Sequence, residues 1–71
     1  MKFELPIETI TVKRLRGIDL TIAREKAGLS QEGLATLLGG LEAGWYQRKI
    51  ARLEGYTWIE GDCLDPLLDL S

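Results

Sequence analysis

Apolar residues recur along the middle of the chain at intervals of three and four, in three short blocks that glycines separate. The blocks are Ile22-Ala23-Ala27, Leu34-Ala35-Leu37-Leu38 and Tyr46-Ile50-Leu53, broken by Gly28, by Gly39 and Gly40, and closed by Gly55. That spacing puts each block on one face of an α-helix, and glycine just beyond a periodic block is a stop signal. The first helix is expected from Asp19 to Ala27, because Gly17 in an earlier start would cost ~1 kcal/mol in a helix interior. The second starts at Ser30, whose hydroxyl can accept from an orphaned backbone N–H, with Glu32 favourably placed in the first turn. A reciprocal capping box is absent, since Gly33 stands where Glu or Gln is needed. The third begins near Ala43 or Gly44 and runs to Glu54. Tyr46, Ile50 and Leu53 form its buried stripe, which leaves Gln47, Arg48, Ala51 and Arg52 on other faces.

The ends of the chain read differently. Phe3 and Leu5 alternate with Lys2 and Glu4, as in a short strand, until Pro6 ends it or marks it as an edge. Ile7, Ile10 and Val12, with Thr9 and Thr11 between, fit extended and helical readings alike. Tyr56 to Ile59 has high strand propensity and is expected to pair or pack with Phe3 and Leu5, within one chain or across a dimer. Glu60-Gly61-Asp62 reads as a turn. Asp65-Pro66 reads as an N-cap followed by proline at the first helical position. Leu67, Leu68 and Leu70 then form a last helical turn or an extended docked tail. The fold class is mainly α: one domain over residues 1–71, a three-helix core containing a helix-turn-helix, with short flanking β-strands.

Composition narrows the chemistry. The 71 residues include no histidine and a single cysteine, Cys63, so neither an internal disulfide nor a zinc site is expected. Asp62, Asp65 and Asp69 lack the spacing of a calcium loop. With no phosphate loop and no nucleophile–base pattern, the chain does not read as an enzyme, and no catalytic residue, metal or cofactor is expected. No stretch is long enough to span a membrane, and no charged lead precedes an apolar run, so the setting expected is the reducing cytoplasm. The net charge of −2 is unevenly spread. Residues 56–71 carry four acidic groups and no base, while Arg48, Lys49 and Arg52 oppose a single Glu54 between Trp45 and Glu54. Local positive charge on one helix is what a phosphate backbone meets.

The stretch TIAREKAGLSQEGLATLLG, continued by Ile50-Ala51-Arg52-Leu53-Glu54-Gly55, resembles the lambda-repressor/Cro-like helix-turn-helix family over about half of the chain. The Tyr46-Gln47 and Ile50 pattern is similar to Cro proteins in particular, as is the arrangement of strands flanking three helices. The resemblance implies operator binding as a homodimer and transcriptional regulation in bacteria or phages. It implies Gln31 as a phosphate contact, Ala35 as the close contact between helices, and Tyr46, Gln47, Arg48 and Lys49 as the start of the recognition helix. Two features depart from the family. About five extra residues, Gly40 to Gly44, stand before the third helix, as an enlarged turn or as a helix extension. The usual fourth and fifth helices are missing.

On that footing Gln47 is expected to pair with adenine and Arg48 with guanine, with Ala51 beside them at the base edges. Lys49, Arg52 and Arg24 join Gln31 as phosphate contacts. The plainer readings are local pairing of Arg24 with Glu25 or Glu32, and a Gln31 that braces the third helix. Trp45 is expected to anchor the long turn in the core. Dimer contacts are expected at Tyr56, Trp58, Ile59 and Leu67. The function expected is a sequence-specific, double-stranded DNA-binding transcriptional regulator, a small phage or bacterial repressor. The alternative is a protein-binding module on the same scaffold: an antirepressor, an antitoxin or a polymerase-binding regulator. That alternative requires an exposed apolar patch at Leu41, Trp45, Trp58 or the terminal leucines.

Overall fold

The computed structural model of the protein describes residues 3–9 and 13–70. The order of elements is β1 (Glu8–Thr9), β2 (Lys13–Arg14), α1 (Gly17–Lys26), α2 (Gln31–Leu37), a 3-10 turn (Leu41–Ala43), α3 (Gln47–Glu54), a second 3-10 turn (Gly61–Cys63) and α4 (Asp65–Leu70). β1 and β2 pair antiparallel, Glu8 opposite Arg14 and Thr9 opposite Lys13, and the Glu8 carboxylate accepts from the Arg14 guanidinium. The architecture is mainly α with a short flanking sheet, as expected. Among the described residues no helix is long and apolar enough to cross a membrane.

The core lies where α1, α2 and α3 meet. Leu20, Leu34, Ile50 and Leu53 are buried there, with Ala35 small enough to let α2 and α3 approach. Ser30 caps α2 as anticipated, its hydroxyl accepting from the Gly33 N–H at 2.9 Å. The α2–α3 pair with α1 packed across it is a helix-turn-helix-like arrangement.

Several boundaries differ from the sequence reading. α1 starts at Gly17 rather than Asp19. Gly17 does not interrupt a helix; it opens one against the end of another. Its N–H donates to the Tyr56 carbonyl at 3.1 Å, and a Cβ there would lie 2.3 Å from that oxygen and 2.6 Å from the Leu53 carbonyl. Only glycine allows so close a backbone approach. α3 starts at Gln47, later than Ala43 or Gly44, because Gly40–Gly44 fold as a turn of their own. Three residues whose spacing predicts burial are exposed: Tyr46 is the extended N-cap of α3, Ile22 lies on the outer side of α1, and Leu37 lies on the outer side of the last turn of α2.

The Tyr56–Ile59 segment has a backbone partner other than the one expected. Ile59 bridges Leu15, its N–H donating to the Leu15 carbonyl at 2.6 Å and its carbonyl accepting at 3.1 Å. No β-ladder joins Phe3 or Leu5 to that segment among the described residues; Phe3 instead shares the core cluster with Ile59, and Leu5 packs at its edge. Residues 3–7 form no regular strand, and the remainder of that expected strand, Met1 and Lys2, lies outside the described residues. The same holds for Ile10, Thr11 and Val12, on which the competing extended and helical readings depended. The terminal leucines settle as helix: α4 buries Leu67 and packs Leu68 and Leu70 against the core.

Candidate nucleic-acid interface

α3 has one buried edge and one open face. Ile50 and Leu53 lock it into the core, while Gln47, Arg48, Ala51 and Arg52 are exposed. These four residues lie along the outside of a single eight-residue helix, where sequence spacing placed them. A helix is about the width of the major groove, so such a face can lie against base edges with its flanking cations toward the phosphates.

Glu54, the lone acid of α3, is turned inward. Its carboxylate accepts from Arg24 Nε at 2.6 Å and from Gln31 Nε2 at 2.9 Å, and the Arg24 side chain is 13% exposed and that of Glu54 9%. Arg24 also donates to the Leu29 carbonyl at 2.8 Å, which fixes the α1–α2 connection. One carboxylate thus ties together all three helices. Its charge is neutralised inside the molecule and does not weaken the positive field of Arg48 and Arg52. This corrects the placement of two residues. Arg24 does not pair with Glu25 or Glu32, and its guanidinium faces Glu54 rather than solvent. Gln31 braces α3 through the same carboxylate, the plainer of its two readings. Nothing in the sequence marks Glu54 as their partner, because Arg24 and Gln31 lie 30 and 23 residues away along the chain.

Lys49 occupies an intermediate position. Its Nζ donates to the Gly44 carbonyl at 3.1 Å and lies 4.3 Å from the centre of the Trp45 ring. It steadies the junction of turn and helix while remaining partly open at the surface. Trp45 is the core anchor expected, 4% exposed. The turn before it is an enlarged turn and not a helix extension. Gly40 and Gly44 take φ of 67° and 80°, which side chains with a Cβ avoid. The Trp45 N–H closes the turn by donating to the Gly40 carbonyl at 2.9 Å.

Of the residues expected at a dimer contact, two lie in the chain's own core: Ile59 is 1% exposed and Leu67 0%. In this conformation they have no surface to offer, because strand-like pairing with Leu15 and the docking of α4 consume it. Tyr56 is exposed. Trp58 is half-buried beneath Arg14, whose guanidinium carbon lies 3.7 Å from the ring centre, with that of Arg16 at 5.1 Å.

Compared with protein-family models, curated proteins and solved structures, the chain shows no significant match.

Proposed function

We propose that the protein is a sequence-specific, double-stranded DNA-binding transcriptional regulator of the lambda-repressor/Cro-like kind, a small phage or bacterial repressor that acts as a homodimer. The observation that carries this reading is the open face of α3. Gln47, Arg48, Ala51 and Arg52 are exposed on a helix held from behind by Ile50 and Leu53, and the helix's one acid is neutralised by Arg24. Gln47 and Arg48 sit at the N-terminal end, which comes closest to base edges; Arg52, with Lys49 beside the turn, meets phosphates. A two-fold dimer presents two such helices to half-sites ~34 Å apart along DNA. Tyr56 and the exposed Ile18 and Ile22 of α1 supply apolar surface for self-association.

A protein-binding role on the same scaffold draws support from Leu41, which is 81% exposed. The rest of the patch it requires is reduced, since Trp45 and Leu67 are buried. Selection of duplexes from a random pool, followed by titration of the enriched sequence across a salt series, tests the DNA reading. Enrichment of a defined site, with affinity falling steeply as salt rises, is the expected result. A pool that stays random, with no salt-dependent binding, refutes it.

A further inference from the structure

The turn that precedes α3 holds an exposed leucine in a fixed position. Leu41 stands at the start of the Leu41–Ala43 3-10 turn, between Gly40 and Gly44 with their positive φ. Backbone bonds brace the turn at both ends: the Ala43 N–H donates to Gly40 O at 3.0 Å and the Gly44 N–H to Leu41 O at 3.0 Å. Trp45 fastens it to the core, and Lys49 reaches back to the Gly44 carbonyl. An exposed leucine on a floppy loop tip would be unremarked; this one rides on a braced support. Little ordering entropy remains to be lost when it makes a contact.

Its surroundings define what it can contact. Leu41 borders an open groove of about 450 Å³ that also includes Tyr46, Gln47, Glu32, Thr36 and Glu42. Gln47 is the first residue of α3, so this groove is continuous with the end of the helix proposed to enter the major groove. Glu32 and Glu42 would repel a phosphate brought to this lip. They suit a base edge, where amino groups donate to carboxylates and the thymine 5-methyl offers an apolar surface. Leu41 and the ring of Tyr46 provide the matching apolar side.

We infer that Leu41 packs against the 5-methyl group of a thymine next to the bases facing Gln47 and Arg48, so that the inserted turn is a second element of sequence readout. The inference rests on the DNA-binding reading above and assigns a base preference to a residue outside α3.

Deoxyuridine lacks only the 5-methyl group and isolates this contact. In the duplex enriched by the wild-type protein, each thymine is replaced singly by deoxyuridine, and binding of wild type and Leu41→Ala is titrated. One replacement is expected to weaken wild-type binding by about four-fold, the size of one buried methyl-group contact. Leu41→Ala is expected to bind the thymine and uracil duplexes equally while keeping its preference at the Gln47 and Arg48 positions. Its fold is expected to survive, because the side chain lies outside the core. A wild-type protein that selects a site yet tolerates uracil at every thymine overturns the inference and leaves the DNA-binding reading standing. So does a Leu41→Ala variant as sensitive to uracil as wild type. A wild-type protein that selects no duplex at all overturns both.

Discussion

The carboxylate of Glu54 meets the guanidinium of Arg24 at 2.6 Å, and the pair joins the last turn of α3 to α1 in a largely desolvated contact. Because Gln31 donates to the same carboxylate, the orientation of α3 depends on side chains from both other core helices. Removing one member strands the other's charge where water reaches it poorly. Glu54→Ala is expected to destabilise the domain by ~3 kcal/mol, measured by urea unfolding, against under ~0.5 kcal/mol for the exposed Arg52→Ala. The double variant Arg24→Met with Glu54→Leu is expected to be more stable than Glu54→Ala, because no unpaired charge remains. Equal effects of Glu54→Ala and Arg52→Ala would show that the pair holds nothing in place.

Gly17 and Gly55 are expected to respond oppositely to alanine. A Cβ at Gly17 falls 2.3 Å from the Tyr56 carbonyl oxygen, so α1 and the end of α3 must separate. Gly55 has φ of −87°, open to any residue, and its nearest Cβ neighbour would be the Arg52 carbonyl at 3.4 Å. Gly17→Ala should lose roughly 2 kcal/mol, while Gly55→Ala should be neutral or gain up to ~0.5 kcal/mol through the less flexible unfolded chain. Thermal melts of the two variants side by side check this. A well-tolerated Gly17→Ala would contradict the close packing of the two helix ends.

Trp45 and Leu41, both within the inserted turn region, should separate stability from surface function. Trp45→Ala empties a buried site and is expected to cost ~3 kcal/mol or more. Leu41→Ala is expected to change stability by less than ~0.5 kcal/mol, since its side chain is already in solvent. Denaturant midpoints for both variants are the measurement; a large loss for Leu41→Ala would mean that the turn is packed more tightly than its exposure indicates.

Ser30→Ala removes the single side-chain cap of α2 seen among the described residues, the 2.9 Å bond to Gly33 N–H. A loss of ~1 kcal/mol is expected in the same unfolding measurement, and no loss would mean that water replaces the hydroxyl without penalty.

Local signals carried the sequence reading where one residue decides the outcome. Ser30 caps α2, and Gly28 and Gly55 follow helices, each through chemistry that acts within a few residues. Asp65, expected as the cap of α4, is instead its first helical residue and Pro66 its second, because the Leu64 carbonyl already accepts the Leu68 N–H. Periodicity also located the open face of α3, since Ile50 and Leu53 define its opposite side. Elsewhere a distant part of the backbone decides, and nothing local announces it. Gly17 looks like a helix breaker until the carbonyls of Leu53, Glu54 and Tyr56 are brought against it. Tyr46 shares helical spacing with Ile50, but the positive-φ turn at Gly44 places it before the helix, in an extended N-cap, and its ring outside. Ile59 and Leu67 are apolar residues near the chain's end, equally suited to a partner's surface or to the chain's own core. Only the bridge to Leu15 and the docking of α4 distinguish those fates. Within the proposed site, Gln47, Arg48, Ala51 and Arg52 were legible from spacing. The diversion of Arg24 and Gln31 to Glu54 was not, because a contact over more than 20 residues leaves no periodic trace.

The proposal that the N-terminal end of α3 reads bases is tested most directly by titrating Gln47→Ala and Arg48→Ala against the enriched site and a scrambled duplex at two salt concentrations. Each variant is expected to lose ~1–3 kcal/mol of discrimination between the two duplexes while its binding to scrambled DNA changes little. Arg52→Ala, at the residue proposed to meet phosphate, should instead weaken both duplexes alike and flatten the salt dependence. Full discrimination retained by both Gln47→Ala and Arg48→Ala would contradict base reading by this face of α3.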